Sequence, residues 1–189
     1  HHLVLMVRDE LRSGFQTGGK QCEAFASRGC SYTRTTGIWQ TVWMEAIDTF
    51  GLKSVHVVPD VDSSSFVFIP EYYATAADST LTIEVKDGTA VVARREVRAA
   101  NGVPVAVELD DPKLWAPGNP HLYDLVFFVS SEAGEIDSVR SYAGLRKVHI
   151  EGNKVLLNNQ PLYQRLVLDQ GFYPDGIWTA PNDGALKRD

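Results

Sequence analysis

Leu81, Ile83 and Val85 alternate with Thr82, Glu84 and Lys86, and the same every-second-residue pattern returns at Tyr123, Leu125, Phe127 and Val129. No other feature constrains the fold as much, because only an extended strand sends alternate side chains to opposite faces. After the first run Asp87 and Gly88 form a turn dipeptide that tolerates positive φ, and Ala90 to Val97 runs back as the second arm of a hairpin. Val103, Val105, Val107 and Leu109 make a further alternating run, and Phe66 to Ile69 a shorter apolar one ahead of Pro70. Beyond Val129 a turn at Glu132 to Glu135 leads to a return strand from Ile136. Strands spaced in this way, each with one polar face, predict an antiparallel two-sheet sandwich. From Asp48 to His149 the chain has the length of an immunoglobulin-like domain, about 100 residues. The Cys–Trp–Cys spacing of antibody domains is absent.

The flanks follow different patterns. Leu3 to Arg8 reads as one strand and Gly37 to Ile47 as another. In the second, Ile38, Val42, Met44 and Ala46 share a face, while Trp39, Trp43 and Ile47 occupy the other, so both sides need a cover. Trp39 and Trp43 alternate along one face and are expected to pack between domains. Leu162 to Leu168 is an almost unbroken apolar run, as expected of a parallel strand buried on both faces. Asn182 or Asp183 then caps a helix. The expectation is a mainly β chain with a partial β-domain over 1–48, a complete sandwich over 49–149, and the opening of another domain over 150–189. On this reading the two flanks are cut edges of neighbouring modules.

Composition removes several function classes. Apolar residues make up 44% of the 189, enough for a packed core. The net charge is −6 and no basic cluster exceeds the Arg94-Arg95 pair, which argues against a nucleic-acid partner. No apolar run approaches the roughly 20 residues of a membrane helix. Cys22, Cys30, His56, His121 and His149 lie at no metal-binding spacing, and the cysteines are expected to be reduced or structural. Asp60 and Asp62 in PDVDSSS, and Asp110 and Asp111 before Pro112, read as turn residues. A glycosidase carboxylate pair must face across a sugar at about 5 Å on a rigid scaffold, which one flexible loop does not provide. No G-x-S-x-G elbow, P-loop or H-E-x-x-H occurs, so no cofactor or metal is expected. Nothing in the sequence selects a compartment.

Several strings then line up in order. Gly19-Lys20-Gln21 followed by TTGIWQTVWMEAI resembles the end of the sugar-binding jelly roll of glycoside hydrolase family 2, which contains β-galactosidases, β-glucuronidases and β-mannosidases. LWAPGNPHLYDLVFFV, Leu114 to Val129, resembles the motif near the end of that family's immunoglobulin-like domain. SYAGLRKVHIEGNKVLLNNQPLYQR resembles the strand and turn that enter its catalytic barrel, and PDGIWTAPNDGALKRD the first βα loop and helix start. The resemblance implies partial jelly-roll strands, an immunoglobulin-like sandwich, and the first strand of a TIM barrel. It also implies that the parent hydrolyses β-glycosidic bonds with retention, through two glutamates located downstream of this chain. The chain alone is expected to be inactive, with carbohydrate as its partner only through the parent enzyme.

Candidate contacts lie on the expected barrel strand. Period-two geometry groups Tyr163, Arg165, Val167 and Asp169 on one side, with Asp169 four residues, about 13 Å, beyond Arg165. The mouth at the C-terminal end of barrel strands is where active sites are built. Asp169 and Gln170 are therefore the expected sugar-hydroxyl contacts, with Arg165 as electrostatic support inside the barrel. Where family members commonly read R-G-V-N-R-H, this chain reads Arg165-Leu166-Val167-Leu168-Asp169-Gln170, so the usual galactosidase or glucuronidase contacts do not carry over. Trp115 reads as sandwich packing, the alternative being a sugar platform. A second functional class is a non-catalytic carbohydrate-binding or structural sandwich. The uncovered strands at either flank could also exchange between copies to form a homo-oligomer.

Overall fold

A computed structural model describes residues 2–38, 40–169, 171–173 and 179–189. They form two compact units, one of Glu45–Arg165 and one of His1–Met44 with Leu166–Asp189.

The larger unit is the expected sandwich. One sheet has the order β1-β2-β5, from Leu52–Asp60, Ser65–Tyr72 and Val105–Glu108. The facing sheet has the order β4-β3-β6-β7, from Ala90–Arg98, Thr80–Asp87, Tyr123–Ser131 and Gly134–Ala143. All pairings in both sheets are antiparallel. Relative to the constant-type immunoglobulin arrangement, the fourth strand lies beside the third rather than on the opposite sheet. Alternation builds the core: Phe66 and Phe68 from β2 meet Leu81, Ile83 and Val85 from β3 and Leu125, Phe127 and Val129 from β6, all buried. The aromatic contacts across the layers are edge-on, Phe68 to Phe127 at 5.6 Å and Phe66 to Tyr123 at 5.9 Å between centroids. The hairpin expected at Asp87-Gly88 joins β3 to β4, with Gly88 at φ 61°.

Strand β1 carried no clear alternation in the sequence. Its register shifts between Leu52 and Ser54, so Leu52 and Val55 both contribute to the core although they lie three apart. Strand β5 starts at Val105 rather than Val103, after Pro104, which has no N–H to donate.

A third sheet, of order β10-β9-β8, comes from Gln160–Pro161, Lys154–Leu157 and Val148–Glu151. Strands β9 and β10 are joined by Asn158 and Asn159, both at positive φ (52° and 64°), the two-residue turn in which Asn and Gly are favoured.

Three expected strands do not form. Leu3 to Arg8, the described residues of Gly37 to Ile47, and Leu162 to Leu168 have no ladder partner among the described residues. Backbone pairing makes a strand, and an apolar pattern outside any ladder leaves side chains in solvent: Met44 is 95% exposed and Val167 92%. The segment expected as the barrel strand, Leu162 to Leu168, is exposed and carries no strand. Trp39, whose packing was inferred with that of Trp43, lies outside the described residues.

In the smaller unit, Tyr32 bonds back to the Lys20–Cys22 segment: its N–H donates to Lys20 O and its carbonyl accepts from Cys22 N, both at 2.7 Å. The Tyr32 ring stacks on Phe172 at 5.1 Å. Cys22 is buried, with Sγ donating to Ala26 O at 3.2 Å, Cys30 is exposed, and both are free thiols. Helix α1, Asp183–Arg188, is capped by Asn182, whose side chain accepts Ala185 N–H at 3.0 Å. Asp183 in the first turn and Lys187 and Arg188 in the last complement the helix dipole.

Candidate functional site

Two of the motif strings come together on the sandwich. Trp115 N–H donates to Leu145 O at 2.9 Å, tying the LWAPG segment to the GLRK segment. The indole lies so close to Gly144 that a Cβ there would stand 3.1 Å from Trp115 Cβ and 3.2 Å from Cδ1. The Arg146 guanidinium sits over the ring at 4.6 Å. With its ring contacted by Gly144 and Arg146, Trp115 is packing rather than an open sugar platform.

The Asn158-Asn159 turn joins this cluster through its side chains. Asn158 Oδ1 accepts Lys147 N–H at 3.0 Å, its Nδ2 donates to Trp115 O at 2.9 Å, and its own N–H donates to Lys147 O at 2.8 Å. Asn159 Nδ2 donates to Asp62 Oδ1 at 2.9 Å, and Lys147 Nζ to Asp62 Oδ2 at 2.5 Å. The bond from Lys147, then that from Asn159, holds the Asp62 carboxyl below its ordinary range. Asp62 is therefore an ion-pair anchor on the β1–β2 turn. Asp60 accepts Ser63 N–H at 3.1 Å, so neither aspartate faces a partner carboxylate as a glycosidase dyad would. The Asn-Asn dipeptide between two short apolar segments was the available signal for this clamp, but only the fold reveals what its side chains reach.

A second polar cluster closes the corner ahead of β6. Tyr123, first in that strand and buried, accepts Lys113 N–H on its hydroxyl at 2.6 Å. Lys113 Nζ donates to Asp87 Oδ2, which lowers the Asp87 pKa and raises that of Lys113. His121 packs edge-on against Tyr123 at 4.7 Å, with Nε2 3.6 Å from Asp87 Oδ1. This is the tyrosine corner of immunoglobulin-like sandwiches, a device that fixes a loop to a strand.

The sequence-derived contact residues fall in different units. Arg165 is exposed at the end of the larger unit's chain segment. Asp169 is exposed in the smaller unit and accepts Gly171 N–H at 2.8 Å, a local turn. Gln170 lies outside the described residues.

The sequence model of glycosyl hydrolases family 2 matches residues 52–146, which run from the start of β1 through β7 to Arg146 beside the Trp115 ring. The chain belongs to glycosyl hydrolases family 2. A curated family relative, the beta-galactosidase of Pectobacterium atrosepticum, is 35% identical over 69 residues, 36% of this chain and 7% of its own length. A β-glucuronidase from Ruminococcus gnavus, solved in complex with D-glucuronic acid, superposes with a TM-score of 0.56 at 24% identity over 72% of this chain. The structure of the enzyme with uronic deoxynojirimycin gives the same values. The family 2 chain described here spans 23% of those glucuronidase chains, and the likeness establishes the shared fold.

Proposed function

We propose that the chain is the central, non-catalytic part of a family 2 glycosidase that hydrolyses β-glycosidic bonds of carbohydrates. Residues 49–149 are its immunoglobulin-like domain, 1–48 belong to a sugar-binding jelly roll, and 150–189 lead into the catalytic barrel. Two carboxylates elsewhere in the enzyme perform a retaining displacement, one protonating the glycosidic oxygen and the other attacking the anomeric carbon. Within that enzyme Asp169 and Gln170 contact sugar hydroxyls and Arg165 lends electrostatic support. The proposal for these three rests on their order after the NNQP turn.

The observation that carries this reading is the clamp at Trp115, Lys147 and Asn158. These residues lock a hairpin onto the sandwich, with their polar groups bonded to one another. Such a cluster positions chain and performs no chemistry.

The test is an assay of the 189-residue chain with chromogenic β-galactoside, β-glucuronide and β-mannoside. No turnover above the buffer rate is expected. Turnover that disappears on replacing a carboxylate of this chain would overturn the assignment.

A further inference from the structure

The outer face of the β4-β3-β6-β7 sheet carries a cavity of about 340 Å³. Val126, buried, and Phe128, half-buried, lie among its lining residues on that face. Lys86 and Asp124 are directly opposed in the β3–β6 ladder and carry opposite charge, yet no ion pair joins them, and both line the cavity. Arg140, opposite Val126, lines it too, and its side chain has no ion pair or hydrogen bond among the described residues. Beside them Tyr142, the ladder partner of Asp124, presents a ring that is 69% exposed.

We propose that this face binds a neutral oligosaccharide, with Tyr142 stacking on a pyranose ring and Asp124, Lys86 and Arg140 bonding its hydroxyls. A hydroxyl both donates and accepts, so it is matched by a carboxylate and cations that converge without satisfying one another. The charges lining the cavity are balanced, Lys86 and Arg140 against Glu84 and Asp124. Balanced charge gives no field to hold a polyanion or an acidic peptide. The aromatic ring and apolar floor suit the C–H face of a sugar. This inference does not rest on the activity of the parent enzyme, since no reacting group is involved.

The experiment is a titration of the ¹⁵N-labelled 189-residue chain with cellotetraose, mannotetraose, galactotetraose and, as the anionic arm, tetragalacturonate. The expected result is saturable shifts at the amides of Asp124, Val126 and Tyr142 with at least one neutral tetramer at millimolar concentration. Tyr142→Ala should weaken that binding about tenfold, the loss of one aromatic contact. Asp124→Asn, which keeps the side-chain shape if the tyrosine variant fails to fold, should weaken it as well. Three outcomes would overturn the proposal: no saturable shift with any neutral tetramer, shifts that map away from this face, or binding confined to tetragalacturonate. Neutral-tetramer binding unchanged in the Asp124 variant, or in a folded Tyr142 variant, would do the same.

Discussion

The phenolic oxygen of Tyr123 accepts the backbone N–H of Lys113 at 2.6 Å, so the strand that anchors the core also ties down the loop leading into it. The ring is packed against Phe66 and His121, and that packing survives loss of the hydroxyl. Tyr123→Phe therefore isolates the hydrogen bond and strands a backbone donor. The expected cost is about 1–2 kcal/mol, read as a lower urea midpoint with an unchanged m-value. An unaltered midpoint would mean that the Lys113 N–H finds water at no cost and the corner is ornamental.

The ion pair between Asp62 and Lys147 makes stability pH-dependent in a defined direction. Hydrogen bonds from Lys147 and Asn159 depress the Asp62 pKa below the 3.8 of an unperturbed aspartate. A depressed carboxyl binds fewer protons in the folded state than in the unfolded one, so its contribution is complete above 3.8 and lost as pH falls through the folded value. Asp87, lowered chiefly by Lys113, acts in the same sense. The urea midpoint should fall on acidification below pH ~4, and Asp62→Asn should make that fall shallower. Both partners are partly exposed, so about 1 M salt should reduce the difference between wild type and variant.

The sandwich was legible because its inner faces are built by alternation alone: Leu81-Ile83-Val85 and Tyr123-Leu125-Phe127-Val129 all point inward as their spacing requires. β1 was not, because the shift at Leu52–Ser54 breaks the period and leaves no continuous stripe to read. The flanking strands failed for the opposite reason. Their composition is that of strands, but beyond the bond from Leu162 N–H to Val155 O, Leu162 to Leu168 joins no ladder among the described residues, and pairing is a tertiary property that composition does not carry. Arg165 and Asp169 were grouped by assuming a strand across Leu162 to Leu168, and no strand is assigned there. The clamp was half visible: the Asn158-Asn159 turn is written in the sequence, whereas its reach to Asp62, 97 positions from Asn159, is not.

Tyr72 offers a stabilising substitution. Its hydroxyl is buried without a hydrogen-bond partner among the described residues, and burial pushes its pKa from 10.0 to about 12. Its backbone N–H is held independently by Asn101 Oδ1 at 2.7 Å. Tyr72→Phe removes an unpaired polar atom and keeps the ring, so stability should rise by about 1 kcal/mol at neutral pH. The pKa is raised in the folded state, so the phenol's contribution is complete below 10.0 and is lost as pH rises through about 12. The variant should consequently lose less stability between those values. A variant less stable than wild type would indicate that the hydroxyl is bonded in solution.

Gly144 is glycine for a reason of space. Its φ lies in the ordinary negative range, so no backbone strain would follow from a side chain, but a Cβ would meet Trp115 Cβ, Cδ1 and Cγ at 3.1–3.3 Å. The indole has no easy retreat, because its backbone N–H is bonded to Leu145 O and its carbonyl accepts from Asn158 Nδ2. Gly144→Ala should thus cost about 1–3 kcal/mol by overpacking. Displacing the indole should also loosen the Asn158 side chain, so hydrogen exchange at the Lys147 amide, which Asn158 Oδ1 accepts, should accelerate. Gly118→Ala is the control. Nothing lies within 4 Å of its Cβ position and its φ is not positive, so it should change stability by less than about 0.5 kcal/mol. Equal costs at 144 and 118 would show that the indole moves freely. Its contact with Gly144 would then have no part in holding the hairpin to the sandwich.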